Sequence, residues 1–475
     1  MTATRLHVAG ARIGAPRTLA WAALVAAVLV ITAVPLLTEN TYTLNVLILI
    51  FLLAVLGSSW NVMAGFAGYV SLGHSAYIGV GAYTAGILAA RWDVSPFLVA
   101  PLGGVAAAVV AFVLGLATRR TRGPAFVIVS FATLELSGLV VRNWSSVTGG
   151  SQGFLMPLPS WDVRYYAWPF YYALFVLVLL TIAMSAWIRR SKFGLGLFAI
   201  RDDEEKAAGI GVVTSVYKSL AFMASAVPVG VAGAVYGYYL SFLSVSAMFD
   251  IVLSMQVVLA VLLGGKGTVW GPVLGAAIIV PLTEYTNTTI GGADAGAIRL
   301  LMYGGLLVAV VLLLPRGILP AVTDLHARIR RGGASSPTGA RLDDTPLPAT
   351  PARRRALAGL GDTESDLLTV SDVTIHFGGV TALDRASLVI PAGSVTALIG
   401  PNGSGKTTVF NVIDGTYAPE SGDVLLGGRS LRRLDRTRRA FAGVARTYQL
   451  PRLFDNLRCW RTWPPPTATS DCVDS

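Results

Sequence analysis

Long apolar stretches, separated by short polar segments, fill the first 320 residues of the chain. A helix needs roughly 20 apolar residues to cross the hydrocarbon core of a bilayer, so each stretch predicts one membrane-spanning helix. The glycine-rich segment at residues 264–267 also fits a re-entrant hairpin in place of two spans. The pattern predicts an all-α polytopic membrane bundle of about ten transmembrane helices. Its apolar windows lie at about 18–38, 43–63, 70–90, 96–117, 125–141, 165–188, 218–240, 248–264, 269–287 and 297–315.

A second pattern begins after the last apolar window, where short apolar runs alternate with turns and polar segments. Residues 368–376 and 386–390 predict two strands, and residues 395–399 predict a third strand that is buried. A helix is expected to start near Gly405. Strands that alternate with a helix in this way predict a soluble α/β domain.

The stretch between these two parts is rich in Gly, Ser, Pro, Thr and Arg. It has too few large apolar residues to bury a core, so it predicts a flexible linker. The last residues of the chain show neither a helix nor a strand pattern. We therefore expect four regions: a transmembrane domain at 1–320, the linker at 321–366, the α/β domain at 367–457 and an aberrant tail at 458–475.

Composition and charge favour a membrane over nucleic acid as the partner of the chain. Hydrophobic residues make up 54% of the 475 residues and charged residues only 13%, which is too apolar for a soluble protein. The net charge of +11 arises in short basic clusters between apolar spans, as the positive-inside rule predicts. With ten helices and a cytoplasmic N-terminus, these clusters and the α/β domain lie in the cytoplasm. Two such clusters are Arg119, Arg120 and Arg122, and Arg189, Arg190 and Lys192.

A glycine-rich loop connects the third predicted strand to the predicted helix. Residues 400–407 read Gly-Pro-Asn-Gly-Ser-Gly-Lys-Thr, which is the spacing of a phosphate-binding loop. Its glycines let backbone N–H groups approach the phosphates of a nucleotide, Lys406 would reach the β- and γ-phosphates, and the Thr407 hydroxyl would hold Mg²⁺. The loop residues expected to bind the nucleotide are Gly400, Asn402, Gly403, Ser404, Gly405, Lys406, Thr407 and Thr408.

The soluble part resembles the start of the ATP-binding subunit of ABC transporters, specifically of branched-chain amino acid importers. The resemblance covers about residues 367–457, and it rests on Phe-Gly-Gly-Val-Thr-Ala-Leu-Asp at 377–384 together with the phosphate loop. It implies that the cofactors are ATP and Mg²⁺, and that Phe377 stacks on adenine. A buried aromatic residue at the end of a strand explains Phe377 equally well.

A second segment of the soluble part is similar to the one that carries the glutamine of this family. It reads Ala-Arg-Thr-Tyr-Gln at 445–449, with Tyr448 where Phe is more usual. The resemblance implies that Gln449 contacts Mg²⁺ and relays the state of the nucleotide to the membrane domain. Taken by itself, Gln449 would be interpreted as an exposed loop amide.

The membrane part resembles the permease subunit of the same importers across most of residues 40–315. A tract at 65–74, Gly-Phe-Ala-Gly-Tyr-Val-Ser-Leu-Gly-His, carries the likeness, with Tyr69 where Gln is common. Small residues let helices approach closely, so the tract fits a substrate-pathway helix or plain helix packing. We expect His74 to be a hydrogen-bonded structural histidine, and the costly charge of Glu135 to face the bundle interior or a partner. The candidate pathway residues are Gly68, Ser71, Gly73 and Glu135.

A charged cytoplasmic segment at residues 200–211, here called the coupling segment, is similar to the coupling helix of these permeases. The resemblance implies that it docks on the ATPase near the glutamine segment and passes closure of the ATP site to the transmembrane helices. Leu195 stands just before it, where the family usually has Arg. A charged loop in solvent is the alternative interpretation. The candidate coupling residues are Arg201, Asp202, Asp203, Glu204 and Gly211.

The hydrolytic residues of an ABC ATPase have no match in this chain. By resemblance, hydrolysis needs a signature loop, an apolar strand ending in Asp and a glutamate that polarises water, so we assign no catalytic residue. Residues 458–464, translated from one nucleotide earlier, look like the segment that the family places after Asn456 and Leu457, so we hypothesise a one-base deletion, or a sequencing error, near codon 457. Both cysteines, Cys459 and Cys472, lie in this tail, so neither a disulfide framework nor a cysteine metal site organises the main domains.

These observations predict the permease of an ATP-driven branched-chain amino acid importer, fused to a truncated P-loop ATPase domain, in a bacterial inner membrane. An importer of urea or short amides is one alternative, and a non-transporting ATP-binding membrane module or an inactive truncated product is another. The resemblance implies three partners besides the membrane: a second permease subunit, complete ABC ATPase subunits, and a periplasmic or lipid-anchored substrate-binding protein.

Overall fold

The computed structural model describes residues 17–330 and 366–447, except for residues 39, 119, 120, 122, 160, 290–294, 315 and 402. A helix occupies each of the ten predicted apolar windows. Six helical segments in these residues are long and apolar enough to cross a membrane. The helical bundle is confirmed, whereas the count of ten spans stays a prediction. The six segments are Thr41–Phe66, Pro96–Ala117, Pro124–Asn143, Val163–Arg190, Thr214–Leu240 and Val245–Gly264.

The membrane part is almost entirely helical, and two of its helices begin at a proline, where the missing N–H group has no intrahelical partner to lose. A two-stranded antiparallel ribbon, β1 (Phe154–Leu155) and β2 (Phe242–Leu243), joins two of its loops. The helices are α1 (Arg17–Leu37), α2 (Thr41–Asn61), α3 (His74–Trp92), α4 (Pro96–Ala117), α5 (Pro124–Asn143), α6 (Ser145–Thr148), α7 (Ala167–Arg190), α8 (Lys192–Asp202), α9 (Glu204–Gly209), α10 (Thr214–Leu240), α11 (Val245–Met248), α12 (Ile251–Gly264), α13 (Gly271–Thr289), α14 (Ala295–Leu313) and α15 (Ile318–Arg330).

Three helices, α3, α4 and α10, touch through their backbones at glycine. A Cβ atom added at Gly103 of α4 would lie 2.8 Å from the carbonyl oxygen of Gly81 in α3. A Cβ atom at Gly230 of α10 would lie 2.6 Å from the carbonyl oxygen of Gly103. Small residues allow such close approach in membranes, where dispersion between well-fitted helices holds a bundle together.

The glycine-rich tract interrupts the buried central helix and does not form one regular span. Every residue of α2 from Phe51 to Asn61 is buried. The helix then widens into a π-helical turn, Val62–Phe66, and residues 67–73, here called the break segment, are irregular before α3 begins. The Asn61 side chain donates to the Thr268 carbonyl at 2.7 Å and accepts from the Gly267 N–H at 2.8 Å. π-Helical turns such as Val62–Phe66 are frequent at functional sites.

The soluble part contains a four-stranded antiparallel sheet and two short helices. The sheet has the strand order β4-β3-β5-β6, and its buried core is apolar. The elements are β3 (Asp366–Phe377), β4 (Val380–Pro391), α16 (Lys406–Ile413), β5 (Ser421–Leu426), β6 (Arg429–Ser430) and α17 (Arg436–Phe441). The strands predicted at 368–376 and 386–390 and the helix predicted near Gly405 are therefore confirmed by β3, β4 and α16.

The buried strand predicted at 395–399 is wrong. Residues 394–401 form no strand, and Val395 and Ile399 are almost fully exposed. A strand needs a neighbour to accept and donate its backbone hydrogen bonds. In the part of the chain that the structure describes, no strand lies beside this segment, and every strand pair of the soluble part is antiparallel.

The first ten residues of the predicted linker are helical. Residues 321–330 are helical as the second part of α15, whereas residues 331–365 lie outside the described residues. Gln449, the basic residues Arg119, Arg120 and Arg122, and the tail at 458–475 also lie outside them, so these predictions are untested.

Candidate functional site

The phosphate loop lies between β4 and α16, and its shape requires glycine at two positions. Gly403 and Gly405 have φ angles of +87° and +82°, which side chains rarely adopt. A Cβ atom at Gly405 would also lie 2.8 Å from the carbonyl oxygen of Ala382 in β4. The loop ends at Lys406, where the first N–H groups of α16 have no intrahelical partner and can bind an anion. Asn402 lies outside the described residues.

The Lys406 side chain folds into the loop. Its Nζ donates to the carbonyl oxygens of Gly400 at 2.7 Å and Pro401 at 2.5 Å, and lies 3.3 Å from Oγ of Ser404. Lys406 and Thr407 line a cavity of about 710 Å³ that also borders Lys206 of the coupling segment. Two of the predicted nucleotide-binding side chains therefore share a cavity with the coupling segment.

Phe377 is an exposed aromatic platform at the end of β3. Its side chain is 47% exposed, which excludes the interpretation of a buried strand-end aromatic. The ring meets Tyr417 edge-on, with the ring centroids 5.0 Å apart. The sequence analysis did not identify Tyr417, because no motif marks this residue and it lies 40 positions after Phe377 in the chain. An exposed aromatic pair offers a stacking surface for a nucleobase.

Phe377→Ala is expected to weaken nucleotide binding without unfolding the soluble part. Loss of one aromatic–base stack costs about 1–2 kcal/mol, or roughly a 5- to 30-fold rise in Kd. Titration of the full chain in detergent with a fluorescent ATP analogue measures this change. Val389→Ala, an equally exposed position on β4, is the matched control. An unchanged Kd for Phe377→Ala would remove Phe377 from the nucleotide site.

The buried Arg439 of α17 binds the C-terminus of the phosphate-loop helix α16. Its guanidinium donates to the carbonyl oxygens of Val412 at 2.5 Å and Ile413 at 3.1 Å, at the end of α16. It also donates to the Leu434 carbonyl oxygen at 2.9 Å. Cations favour helix C-termini because the last carbonyl groups lack partners. Arg439 thereby joins the C-terminal end of α16 to the side of α17.

Asp414 reinforces the junction of α16 and α17. Its carboxylate pairs with Arg436 at 2.9 Å and Arg446 at 2.5 Å. Burial alone would raise the pKa of Asp414, but hydrogen bonds from Thr416 and Arg446 outweigh it and hold the pKa below its usual range. Separating this buried carboxylate from its arginine partners would be strongly destabilising, so the junction is rigid.

The coupling segment lies against α17. The Thr437 hydroxyl donates to the Val212 carbonyl oxygen at 3.5 Å. A Cβ atom at Gly211 would lie 3.4 Å from Cζ of Phe441. Gly211 has a φ of +94°, so it also permits the turn that brings the chain to this contact. The segment is helical and packed, and is not a loop in solvent.

Two of the predicted coupling residues shape the segment itself. Asp203 caps α9, because its Oδ1 accepts from the N–H groups of Glu205 and Lys206 at 3.1 Å each. Burial opposes the charge of Asp203, but these bonds and the Lys206 ammonium hold its pKa below the usual range. Asp202 pairs with Arg201 at 3.3 Å. Arg201 and Glu204 reach further, toward the membrane helices.

The predicted pathway residues of the glycine-rich tract lie in the break segment and pack against other elements. A Cβ atom at Gly68 would lie 2.9 Å from Cγ of Arg201. The Ser71 carbonyl oxygen accepts from the Trp60 indole at 2.7 Å. A Cβ atom at Gly73 would lie 2.5 Å from the carbonyl oxygen of Ser130 in α5. These contacts account for the small residues as packing; a role in the pathway stays a prediction.

His74 is buried as expected, but the predicted hydrogen bond is wrong. Among the described residues, neither ring nitrogen has a hydrogen-bond partner. The ring instead meets Tyr77 edge-on, with the centroids 5.3 Å apart. Aromatic packing therefore holds this histidine.

Glu135 does not face the bundle interior. It lies on the exposed side of α5, next to the exposed Leu136. No other acidic or basic residue occupies the middle third of the six candidate spans. Since a charge at mid-membrane is costly in lipid, a protein partner or an aqueous passage is the prediction that remains.

A resident metal site is not formed by the described residues. No group of three or more His, Cys, Asp or Glu among them could hold an ion. The Thr407 hydroxyl beside the phosphate loop suits Mg²⁺ that arrives with nucleotide phosphates, since this ion is bound through few protein ligands in such sites. Gln449, the second predicted ligand, lies outside the described residues.

Comparison with known proteins separates the chain into two matched parts. The family model for the permease component of branched-chain amino acid transport systems matches residues 42–311, and that for ABC transporters matches residues 383–473. The high-affinity branched-chain amino acid transport system permease protein LivM of Escherichia coli is 27% identical over 62% of this chain and 73% of its own length. LivM of Salmonella typhimurium is 28% identical over 59% of this chain and 70% of its own length.

The soluble part is more similar to its relatives but spans less of them. The high-affinity branched-chain amino acid transport ATP-binding protein BraF of Pseudomonas aeruginosa is 42% identical over 19% of this chain and 36% of its own length. The corresponding protein LivG of Escherichia coli is 43% identical over 18% of this chain and 34% of its own length. The chain thus spans about a third of the length of the ATP-binding relatives that it matches.

Proposed function

Because the chain belongs to the permease family of branched-chain amino acid transport systems, we propose that it is the permease component of an ATP-driven importer of branched-chain amino acids. A partial ATP-binding domain is fused to it. Its apolar spans place it in the cell membrane as a multi-pass protein. The family relationship favours the inner membrane, with the ATP-binding part in the cytoplasm.

One observation carries the proposal: the coupling segment and the ATP-binding part of the same chain are in contact. Thr437 and Phe441 of α17 meet Val212 and Gly211. Arg439 joins α17 to the phosphate-loop helix α16. A displacement of α16 is therefore passed through α17 to the coupling segment. This contact is the arrangement that an ATP-driven permease requires.

The chain would hold the nucleotide at its phosphate loop. Lys406 and the first turn of α16 would bind the phosphates of ATP, Thr407 the magnesium ion, and Phe377 the adenine ring. ATP supplies the free energy of transport when it is bound and hydrolysed. Complete ABC ATPase subunits, as partners of the chain, would carry out hydrolysis.

The remaining partners follow from the family relationship and from the exposed face of α5. A second permease subunit would cover the side of α5 that carries Glu135, because lipid is a poor environment for a carboxylate. The passage for substrate would run beside this face and the break segment with Gly68, Ser71 and Gly73. A periplasmic or lipid-anchored binding protein would deliver the substrate and set its identity.

Uptake into proteoliposomes that contain the chain, a second permease subunit, complete ATPase subunits and the binding protein tests this function. We expect ATP-dependent accumulation of labelled leucine, isoleucine or valine, with unlabelled leucine competing and urea or short amides without effect. The control omits the binding protein. Accumulation of labelled urea or acetamide in place of leucine would identify the competing substrate class, and no accumulation of any of them would contradict a transport role.

A further inference from the structure

A charged cluster attaches the coupling segment to the break segment. The Tyr69 hydroxyl donates to Oε2 of Glu204 at 2.6 Å. The other carboxylate oxygen of Glu204 pairs with Nζ of Lys218 in α10. This ammonium also lies 4.6 Å from the centroid of the Tyr69 ring, in a cation–π contact. Each member of the Tyr69–Glu204–Lys218 cluster thus touches both others.

The position of Lys218 makes this cluster strong. Its side chain is buried, although it is the fifth residue of an apolar span. A buried ammonium that loses its carboxylate partner keeps the full desolvation penalty, so separation of Glu204 from Lys218 is strongly opposed. Hydrogen bonds to charged groups are also about twice as strong as neutral ones. When the coupling segment shifts, Tyr69 and Lys218 therefore shift with Glu204.

A second link runs beside the cluster. Nη1 of Arg201 donates to the carbonyl oxygen of Gly65 at 2.9 Å, in the π-helical turn that precedes the break segment. Arg201, Glu204, Gly68 and Tyr69 also line a cavity of about 250 Å³, which leaves room for these groups to move. The coupling segment is thereby attached both to the turn that precedes the break segment and to the break segment itself.

The break segment in turn contacts α5. The Tyr69 ring meets Phe126 edge-on, with the centroids 5.2 Å apart. The Leu72 N–H donates to Oγ of Ser130 at 3.0 Å. Both partners lie in α5, whose exposed face carries Glu135. A continuous set of contacts therefore leads from the coupling segment through the break to this face.

From this arrangement we propose that the Tyr69–Glu204–Lys218 cluster is the joint that transmits movement of the coupling segment to the break segment and α5. Tyr69 and Lys218 are positioning residues for transport, since they act through Glu204 and contact no reacting group. The inference rests on the proposed transport function. Tyr69 is central to it because its hydroxyl binds Glu204 and its ring contacts Lys218.

Tyr69→Phe tests the joint, because it removes one hydroxyl and keeps the ring. The full complex in proteoliposomes is assayed for leucine uptake and ATP hydrolysis in the same vesicles. We expect uptake per ATP hydrolysed to fall by about fivefold or more, the lower end of usual coupling effects, while hydrolysis changes less than about twofold. Tyr239→Phe is the matched control, since its hydroxyl makes a similar bond to Asn45 at 3.1 Å elsewhere in the bundle.

Two outcomes would overturn the joint. An unchanged ratio of uptake to hydrolysis in Tyr69→Phe means that the hydroxyl transmits nothing. A parallel fall in uptake and hydrolysis, together with a lower yield of complex, means that the cluster only stabilises the fold. Glu204→Gln with an intact Lys218 should uncouple in the same way as Tyr69→Phe; if it does not, the cluster is not a unit.

A labelling assay separates failure of the joint from failure of the transport proposal. Val70→Cys in a Cys459→Ser, Cys472→Ser background reports on the break segment through its rate of maleimide labelling. Addition of a non-hydrolysable ATP analogue to the complex should change this rate by about threefold or more, and Tyr69→Phe should abolish the change. If leucine is not imported but this response is present and depends on Tyr69, the joint stands and only the substrate is wrong. A response that does not depend on Tyr69 overturns the joint whatever the substrate.

Discussion

Gly230→Leu is expected to abolish the folded membrane part. At this position α10 meets α4, and a Cβ atom would lie 2.6 Å from the Gly103 carbonyl oxygen and 2.6 Å from Cβ of Ala107. Overpacking costs about 1–3 kcal/mol even where side chains can move aside, and here the obstacle is backbone. We expect the yield of monodisperse protein in detergent to fall by at least about tenfold, as measured by size-exclusion chromatography.

Gly304→Leu is the matched control for this experiment. Gly304 lies in α14, and nothing lies within 4 Å of a Cβ atom added there. Both variants place the same side chain on an apolar helix, so they differ mainly in the closeness of the neighbouring backbone. A normal elution profile for Gly230→Leu would mean that α4 and α10 do not pack at this point.

Lys406→Ala is expected to remove nucleotide binding by the soluble part. The substitution deletes the one cation within the phosphate loop, and hydrogen bonds to charged groups are worth about 1.5–3 kcal/mol. The Kd for a fluorescent ATP analogue should therefore rise by roughly 10- to 150-fold. Equilibrium titration of the full chain in detergent measures this rise.

Two further variants define what a loss of binding would mean. Arg429→Ala removes an exposed cation on β6, away from the loop, and should leave the Kd unchanged. Lys406→Arg keeps the charge and should retain part of the affinity. If Lys406→Ala binds the analogue as tightly as the unchanged chain, the loop does not hold the phosphates and the nucleotide site must be sought elsewhere.

The sequence predicted the elements that depend on local pattern. The apolar windows gave helices at the expected places because hydrocarbon thickness fixes the length of a span. Gly403 and Gly405 adopt the positive φ angles that a phosphate loop requires. Both features follow from a few consecutive residues, so no knowledge of distant contacts was needed.

Features that depend on distant neighbours were not predicted correctly. The apolar run at 395–399 resembles a buried strand, but its exposure depends on whether other strands lie beside it. The cost of burying a charge predicted that Glu135 avoids lipid, yet it could not say which side of α5 faces the bundle. Arg439 and Tyr417 contribute through contacts that join separate elements and carry no motif.

One missed residue did leave a signal in the sequence. Lys218 is a charge near the start of an otherwise apolar span, where an unpaired ammonium is costly. That cost predicts an acidic partner on a neighbouring element outside the membrane, and Glu204 lies 14 residues earlier in the coupling segment. Spans with such a charge merit a search for partners in the loops beside them.

The contact of Gly211 and Val212 with α17 joins two parts of a single polypeptide, so its formation is a unimolecular event. A covalent connection of this kind replaces bulk concentration by an effective local concentration. Dilution, which dissociates a permease from a separate ATPase, therefore leaves this contact at the same occupancy. The number of fused ATP-binding parts per permease is fixed by covalent structure and does not depend on how much of each is synthesised.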